Sequence, residues 1–171
     1  MPWPHAATGH RRLLNCHNPA PRGTPSVPSD AIGDEDRPTL YVCMSCCRQG
    51  TTLAPQGMPV DGRRLFDAIK ALLAEMGEAA PARAHPTLCF ANCERGCSVA
   101  IGAPGKWSYL LGGLGPEHAA DLLSYAVTYA KAKAGVVLPS GRPASLQQAV
   151  IARFPAHLDT AYLNAMKDAA E

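Results

Sequence analysis

Residues 39–77, the first half of the central region, combine one short apolar run with one stripe of apolar residues at helical spacing. Residues 39–42 form an apolar stretch of the length and composition typical of a buried strand. From Asp61 to Gly77, apolar residues recur at intervals of three and four, a period that predicts an amphipathic helix. The pattern therefore predicts a strand followed by a helix.

The second half of this region predicts two further strand segments and a second helix. Residues 85–88 form a short strand that leads into Cys89, and residues 98–101 and 106–110 flank a Gly/Pro turn as a hairpin would. A helix is predicted over residues 116–134, because Pro is favoured at a first helical position and Gly135 follows as a terminator. The order strand, helix, strand, hairpin, helix predicts an α/β domain.

The two ends of the chain differ from this central region. Residues 1–38 contain seven prolines and no apolar period, which predicts a disordered tail. Residues 135–171 show a weaker apolar pattern and are predicted to form a helical C-terminal extension, with a last short helix over about residues 157–169. The expected organisation is a tail (1–38), a central α/β domain (39–134) and an extension (135–171).

Composition narrows the functional classes. A net charge of +2 and a pI of about 8.2 predict no nucleic-acid binding. No apolar stretch reaches membrane-spanning length and no secretory signal is apparent, so a cytoplasmic protein without membrane contact is expected. Seven cysteines in such a chain indicate metal binding or redox chemistry, because the cytosol keeps structural disulfides reduced.

Two cysteine pairs carry the candidate chemistry. Cys43 and Cys46 are separated by two residues, Cys89 and Cys93 by three, and each pair follows a predicted strand. Four thiolates are the usual ligand set of an iron-sulfur cluster or a structural zinc ion. Either pair alone could instead be a dithiol redox motif. Both pairs together favour metal binding.

Two further thiols are alternates. Cys47 could replace Cys46, although adjacent side chains on an extended backbone point to opposite sides. Cys97 is either a small buried residue or an alternate ligand or resolving thiol. Beside it, Gly96 and other small residues leave backbone N–H groups free to approach sulfur, which favours a cluster.

Residues 88–101 and 104–109 carry a resemblance to a known family. The segment Leu-Cys-Phe-Ala-Asn-Cys-Glu-Arg-Gly and the hairpin after it resemble those of thioredoxin-like 2Fe-2S ferredoxins. Residues 39–155, with Arg142-Pro143 and the ending 151–155, also resemble a small bacterial family of predicted metal-binding, ferredoxin-like proteins. The resemblance implies a thioredoxin-like sheet with flanking helices, a 2Fe-2S cofactor and a link to cobalamin or cobalt metabolism.

Carried over by residue, the resemblance implies that Cys89 and Cys93 ligate one iron. Cys43 would then bind the other iron with Cys46 as its companion. The expected function is electron transfer with a redox partner protein, more as a carrier than as an enzyme, and a homodimer is left open. The alternatives are a zinc or cobalt binding or delivery protein, and a thiol-disulfide oxidoreductase that uses Cys43 and Cys46.

Overall fold

The structure is a computed structural model that describes residues 33, 36–48 and 57–155 of the chain. The predicted N-terminal tail therefore lies outside the described residues, apart from residues 33 and 36–38. The predicted helix at 157–169 also lies outside them. The account of the fold below concerns the described residues alone.

Five strands and two α-helices make up the domain. The strands are β1 (Thr39–Cys43), β2 (Arg83–Thr87), β3 (Val99–Gly102), β4 (Ser108–Leu111) and β5 (Val150–Phe154). The helices are α1 (Asp61–Met76) and α2 (Ala119–Lys131). Short 3-10 turns occupy Gly77–Ala79, Cys93–Arg95, Pro116–His118, Pro139–Gly141 and Ala144–Leu146.

The sheet has the strand order β2-β1-β3-β4-β5. Strands β1 and β2 are parallel and are joined through α1, whereas β3 is antiparallel to both β1 and β4. A β-α-β unit followed by a β-hairpin and a helix is the arrangement of a thioredoxin-like sheet. The predicted fold class is thus confirmed.

The core lies between one face of the sheet and both α-helices. Alternate strand residues such as Leu40, Val42 and Ile101 are fully buried, as the period of two in a strand requires. They share one cluster with Leu65 of α1 and Leu122 of α2. Since burial of apolar area is the main stabilising term in folding, this face fixes how the helices sit on the sheet.

Both helices begin close to the predicted positions. The first helix runs from Asp61 to Met76 and is followed by Gly77 in a left-handed conformation with φ of 57°, which explains why the helix stops there. The second is preceded by one 3-10 turn, Pro116–His118. In the described part of the chain, no helix combines the length and apolar character that a membrane span requires.

Strand β5 differs from the expectation for the C-terminal extension. The extension was predicted to be helical, yet Val150–Phe154 pairs antiparallel with β4 and completes the sheet. Its residues lack the strict apolar alternation that marks a half-buried strand, and the register shifts between Leu110 and Leu111. The neighbouring edge of β4, which needs hydrogen-bond partners, explains the strand better than local sequence does.

Candidate metal centre

Cys43 and Cys46 lie in one loop where β1 ends. Cys43 is the last residue of the strand, Cys46 follows after two residues, and both side chains are buried. Their sulfur atoms are 3.0 Å apart, with the Cys46 thiol donating to the Cys43 sulfur. The fold itself therefore brings these two thiols together.

Two glycines allow the chain to pack tightly around this pair. A Cβ on Gly62, in the first turn of α1, would lie 2.2 Å from the Cys43 carbonyl oxygen. The Gly62 N–H also donates to the Cys46 carbonyl at 2.9 Å. A Cβ on Gly96 would lie 2.6 Å from the Cys47 carbonyl oxygen. Both contacts exclude a larger residue without movement of the loop.

The second cysteine loop lies directly beside the first. The Met44 N–H donates to the Thr87 carbonyl at 2.8 Å, and the Ser45 hydroxyl donates to the Leu88 carbonyl at 2.7 Å. These bonds extend the parallel β1–β2 pairing beyond the end of both strands. The two loops that carry the predicted ligands are therefore neighbours at one end of the sheet.

The four predicted ligands do not occupy equivalent environments. Cys89 and Cys93 are exposed, whereas Cys43 and Cys46 are buried. Among residues 33, 36–48 and 57–155, no group of three or more Cys, His, Asp or Glu side chains is placed to hold a metal ion. The structure thus gathers the first pair and leaves the second pair at the surface of the adjoining loop.

The two thiols of the buried pair have pKa values shifted in opposite directions. Burial alone would raise the pKa of the Cys43 thiol, but the Cys46 thiol and the backbone N–H groups of Ser45 and Phe90 hold that pKa below its usual value. Burial, together with the hydrogen bond to the neighbouring Cys43, raises the pKa of Cys46 to about 12. Cys43 is therefore the thiol of the pair that ionises first, and Cys46 keeps its proton at neutral pH.

Backbone N–H groups approach sulfur at both loops. Backbone hydrogen bonding from Phe90, in the second loop, lowers the pKa of Cys43, and that from Ser98 opposes the raised pKa of Cys46. The Ala91 N–H donates to the Cys89 sulfur at 3.2 Å. Such donors stabilise negative charge on sulfur, which every thiolate-metal site must accommodate.

The two alternate thiols have different surroundings. Cys97 is fully buried, its thiol lies 3.6 Å from the Cys46 carbonyl oxygen, and burial raises its pKa to about 12. It is a protonated thiol in the core, next to the pair. Cys47 is half-buried beside Gly96 and has no sulfur partner among the contacts of the described residues.

Comparison with known proteins identifies the family. The family model described as "Protein of unknown function (DUF1636)" matches residues 40–156, more than half of the chain. This chain belongs to the DUF1636 family. No curated protein is significantly similar to it. Among solved structures, a thioredoxin-like [2Fe-2S] ferredoxin from Aquifex aeolicus is 18% identical, with a TM-score of 0.42 over 68% of this chain and 92% of that one.

The donor set of this DUF1636 protein can be compared with two kinds of metal site. Two thiolates on one tetrahedral ion, with bonds of about 2.3 Å, lie about 3.8 Å apart. The 3.0 Å between Cys43 and Cys46 is closer to that separation than to a disulfide bond of about 2.0 Å. A single zinc ion would need four sulfurs around one point, whereas a two-iron cluster takes two thiolates on each iron. The structure brings together one of the two thiol pairs that the second pattern requires, Cys43 and Cys46.

The sequence did not predict the positions that three residues take in the site. Gly62 lies within the helix predicted from Asp61 to Gly77, and Ser45 lies between the two cysteines of the first pair. A glycine in the first turn of a helix, where it weakens the helix, is a sequence signal for close backbone approach. Gly96 was noted as a small neighbour of sulfur, and the structure adds its contact with the Cys47 carbonyl.

Proposed function

We propose that this DUF1636 protein binds a metal centre through Cys43, Cys46, Cys89 and Cys93, a 2Fe-2S cluster in first place, and acts as an electron carrier. The observation that carries the proposal is the buried Cys43–Cys46 pair, 3.0 Å apart and hydrogen-bonded to the loop that bears the other two cysteines. A buried pair of this kind provides two ligands at no further cost in loop ordering.

The four thiols have unequal parts in the proposed site. Cys43, whose pKa is lowered, is the first ligand, while Cys46, whose pKa is raised to about 12, must release its proton before it can bind a metal. Cys89 and Cys93 would turn inward from the neighbouring loop to supply the second half of the ligand set. Cys97, buried and protonated behind the pair, packs against the site and keeps water from it.

A cluster held here would supply one-electron transfer near the protein surface. Cys89 and Cys93 are exposed, and Leu88 beside them is 80% exposed, so a redox partner protein could approach this end of the sheet. The N–H groups of Phe90 and Ser98 would tune the potential by stabilising charge on the ligand sulfurs. The proposed role needs no substrate pocket.

The test is an ultraviolet-visible spectrum of protein purified without oxygen, with iron, acid-labile sulfide, zinc and cobalt measured on the same sample. We expect equal iron and sulfide and broad visible bands that bleach with dithionite. Zinc or cobalt without sulfide would favour the alternative function, a protein that binds or delivers a single metal ion, over the cluster. Neither metal nor sulfide after anaerobic reconstitution would refute metal binding.

A second candidate function is thiol-disulfide exchange at Cys43 and Cys46. It is favoured by the 3.0 Å separation and by the lowered pKa of Cys43. The Cys43 thiolate would attack a substrate disulfide and release one thiol; Cys46 would then lose its proton, attack the mixed disulfide and release the second thiol. The substrate is reduced by two electrons, and the protein keeps a Cys43–Cys46 disulfide.

One comparison, between the wild type and the Cys89→Ser variant, distinguishes thiol-disulfide exchange from metal binding. Metal-free protein is incubated with oxidised glutathione, and the Cys43–Cys46 disulfide is quantified by mass spectrometry. A thiol-disulfide oxidoreductase keeps its exchange rate in the Cys89→Ser variant, because the second loop has no part in the step. Exchange that is slow in the wild type would leave metal binding as the surviving function.

A further inference from the structure

One side chain links the turn that carries Cys93 to the sheet. Asn92 directly precedes the 3-10 turn Cys93–Arg95 and is half-buried. Its side-chain amide donates to the Ser98 hydroxyl at 2.9 Å and lies 3.5 Å from the Arg95 carbonyl oxygen. Ser98 directly precedes β3 and is fully buried. The Asn92 side chain thus connects the turn to the start of a core strand.

The Asn92 side chain is not used in the usual way for its position. An asparagine at the start of a helical turn commonly accepts a hydrogen bond from a backbone N–H of that turn. Asn92 makes no such bond with its side chain. The amide instead reaches Ser98, six residues further along the chain. The side chain therefore serves the placement of the loop on the sheet rather than the turn itself.

Ser98 also connects this turn to the first cysteine loop. Its carbonyl accepts the Cys43 N–H at 3.0 Å, so one residue is bonded both to Asn92 and to the backbone of a proposed ligand. The residue before it, Cys97, exchanges two backbone hydrogen bonds with Leu114, at 3.2 and 3.1 Å. Ser98 is therefore held in place, and a group bonded to it is fixed relative to Cys43.

The other end of the turn is anchored as well. The Gly113 N–H donates to the Arg95 carbonyl at 2.6 Å. A Cβ on Gly112 would lie 3.0 Å from the Asn92 amide nitrogen, so glycine at this position leaves room for the amide. With Asn92 on one side and Arg95 on the other, Cys93 lies between two anchored residues.

The residue before Asn92 has a backbone conformation that needs support. Ala91 has a φ of 54°, which lies in the left-handed region that residues with a Cβ rarely adopt. Such a conformation persists where contacts of the surrounding structure hold it. The bond from Asn92 to Ser98 is a contact of this kind on the adjacent residue.

Cys89, the other cysteine of this pair, is placed by a different contact. The Ser45 hydroxyl, from the first loop, donates to the carbonyl of the preceding residue, Leu88, at 2.7 Å. The Asn92 side chain takes no part in this bond. The two cysteines of the second pair are thus placed by separate contacts, through Ser45 on the side of Cys89 and through Asn92 on the side of Cys93.

We propose that Asn92 is a positioning residue that fixes Cys93 relative to Cys43 through Ser98. The inference rests on the proposed function, because it assigns a role within the same set of ligands. Asn92 acts without contacting the metal: its bond to Ser98 removes freedom that the turn would otherwise lose when Cys93 binds. Removal of the amide should therefore weaken metal binding through Cys93 alone.

The first test uses metal-free protein and does not depend on the proposed function. Amide hydrogen exchange, read by NMR, follows the Arg95 and Gly96 N–H groups, which are bonded to carbonyls of residues 92 and 93. Asn92→Ala should accelerate both exchange rates several-fold, while strand amides show that the fold is intact. Glu94→Ala, which truncates an exposed side chain of the same turn, is the control. Equal rates in the wild type and Asn92→Ala would overturn the proposal.

The second test is a Co²⁺ titration followed by the charge-transfer absorption of cobalt–thiolate bonds. Asn92→Ala should weaken Co²⁺ binding several-fold in the wild type and in Cys89→Ser, but should have no further effect in Cys93→Ser. An equal loss in both cysteine variants would mean that the substitution disturbs the whole loop, and this would overturn the proposal, as would unchanged affinity. A wild type that binds no Co²⁺ would refute the proposed thiolate site itself, and the exchange rates show separately whether Asn92 anchors the turn.

Discussion

The two cysteine loops lie side by side, yet they are built in opposite ways. The first loop places Cys43 and Cys46 in the core, against Gly62 of helix α1 and close to Gly96. The second loop holds Cys89 and Cys93 at the surface. The contrast teaches that the fold pre-organises half of the proposed ligand set, so that binding a metal must order only the other half.

Loss of bound metal is the largest effect expected from substituting a cysteine in either half of the proposed ligand set. Cys43→Ser, Cys46→Ser, Cys89→Ser and Cys93→Ser should each lower bound iron or other metal by roughly tenfold or more, because a serine hydroxyl is a poor ligand for thiophilic metals. Elemental analysis after anaerobic reconstitution measures this. Cys16→Ser is the control and should bind as much metal as the wild type. Full metal content in Cys89→Ser or Cys93→Ser would remove the second loop from the site.

Gly96→Ala should disturb the contact between the two loops. The added Cβ would lie 2.6 Å from the Cys47 carbonyl oxygen and 3.4 Å from the Cys46 sulfur. Overpacking of this kind lowers the free energy of unfolding by about 1–3 kcal/mol, and we expect weaker metal binding with it. Urea denaturation of metal-free protein measures the loss. Gly33→Ala is the matched control, since nothing lies within 4 Å of its Cβ, and an equal effect of both changes would contradict the packing argument.

In metal-free protein, substitutions in the two loops should differ in their effect on the free energy of unfolding. Cys43→Ser places a hydroxyl in a fully buried position and should lower the free energy of unfolding by about 1–2 kcal/mol. Cys89→Ser changes an exposed side chain and should stay within about 0.5 kcal/mol of the wild type. Thermal or urea unfolding with a metal chelator present gives both values. Equal destabilisation by the two substitutions would show that the second loop is as well packed as the first.

Alkaline pH should weaken the metal-free core around the first loop. The pKa values of Cys46 and Cys97 are both raised to about 12, so the folded protein keeps protons that the unfolded chain releases from about pH 8.5 upward. The stabilisation is therefore complete below pH 8.5 and is lost as the pH rises toward 12. Unfolding measured from pH 7 to 10.5 should show this fall. In Cys97→Ala the fall should be smaller, and an unchanged pH dependence would contradict the assignment to that thiol.

Sequence pattern predicted most of the fold and the position of the two cysteine loops. Residues 61–77 and 116–134 carry a helical period strong enough to predict α1 and α2. The cysteine pairs each follow a predicted strand, so their place at one end of the sheet could also be expected. In these segments local preference and tertiary packing favour the same structure.

Other features depend on contacts between segments that are distant in sequence. Strand β5 forms because β4 offers it a free edge, and residues 150–154 alone do not alternate clearly. The close approach of Gly62 to the Cys43 carbonyl follows from how α1 docks on the sheet. The difference in exposure between Cys46 and Cys89 likewise comes from tertiary packing, since both lie within three residues of a strand end.

The central claim is that thiols from both loops hold one metal centre, and thiol protection tests it most directly. Each cysteine is alkylated in metal-free and in metal-reconstituted protein, and its modification rate is read by mass spectrometry. We predict that Cys89 and Cys93 react quickly without metal and become protected with it, together with Cys43 and Cys46. If Cys89 and Cys93 react equally fast in both states while metal remains bound, the two-loop centre is contradicted.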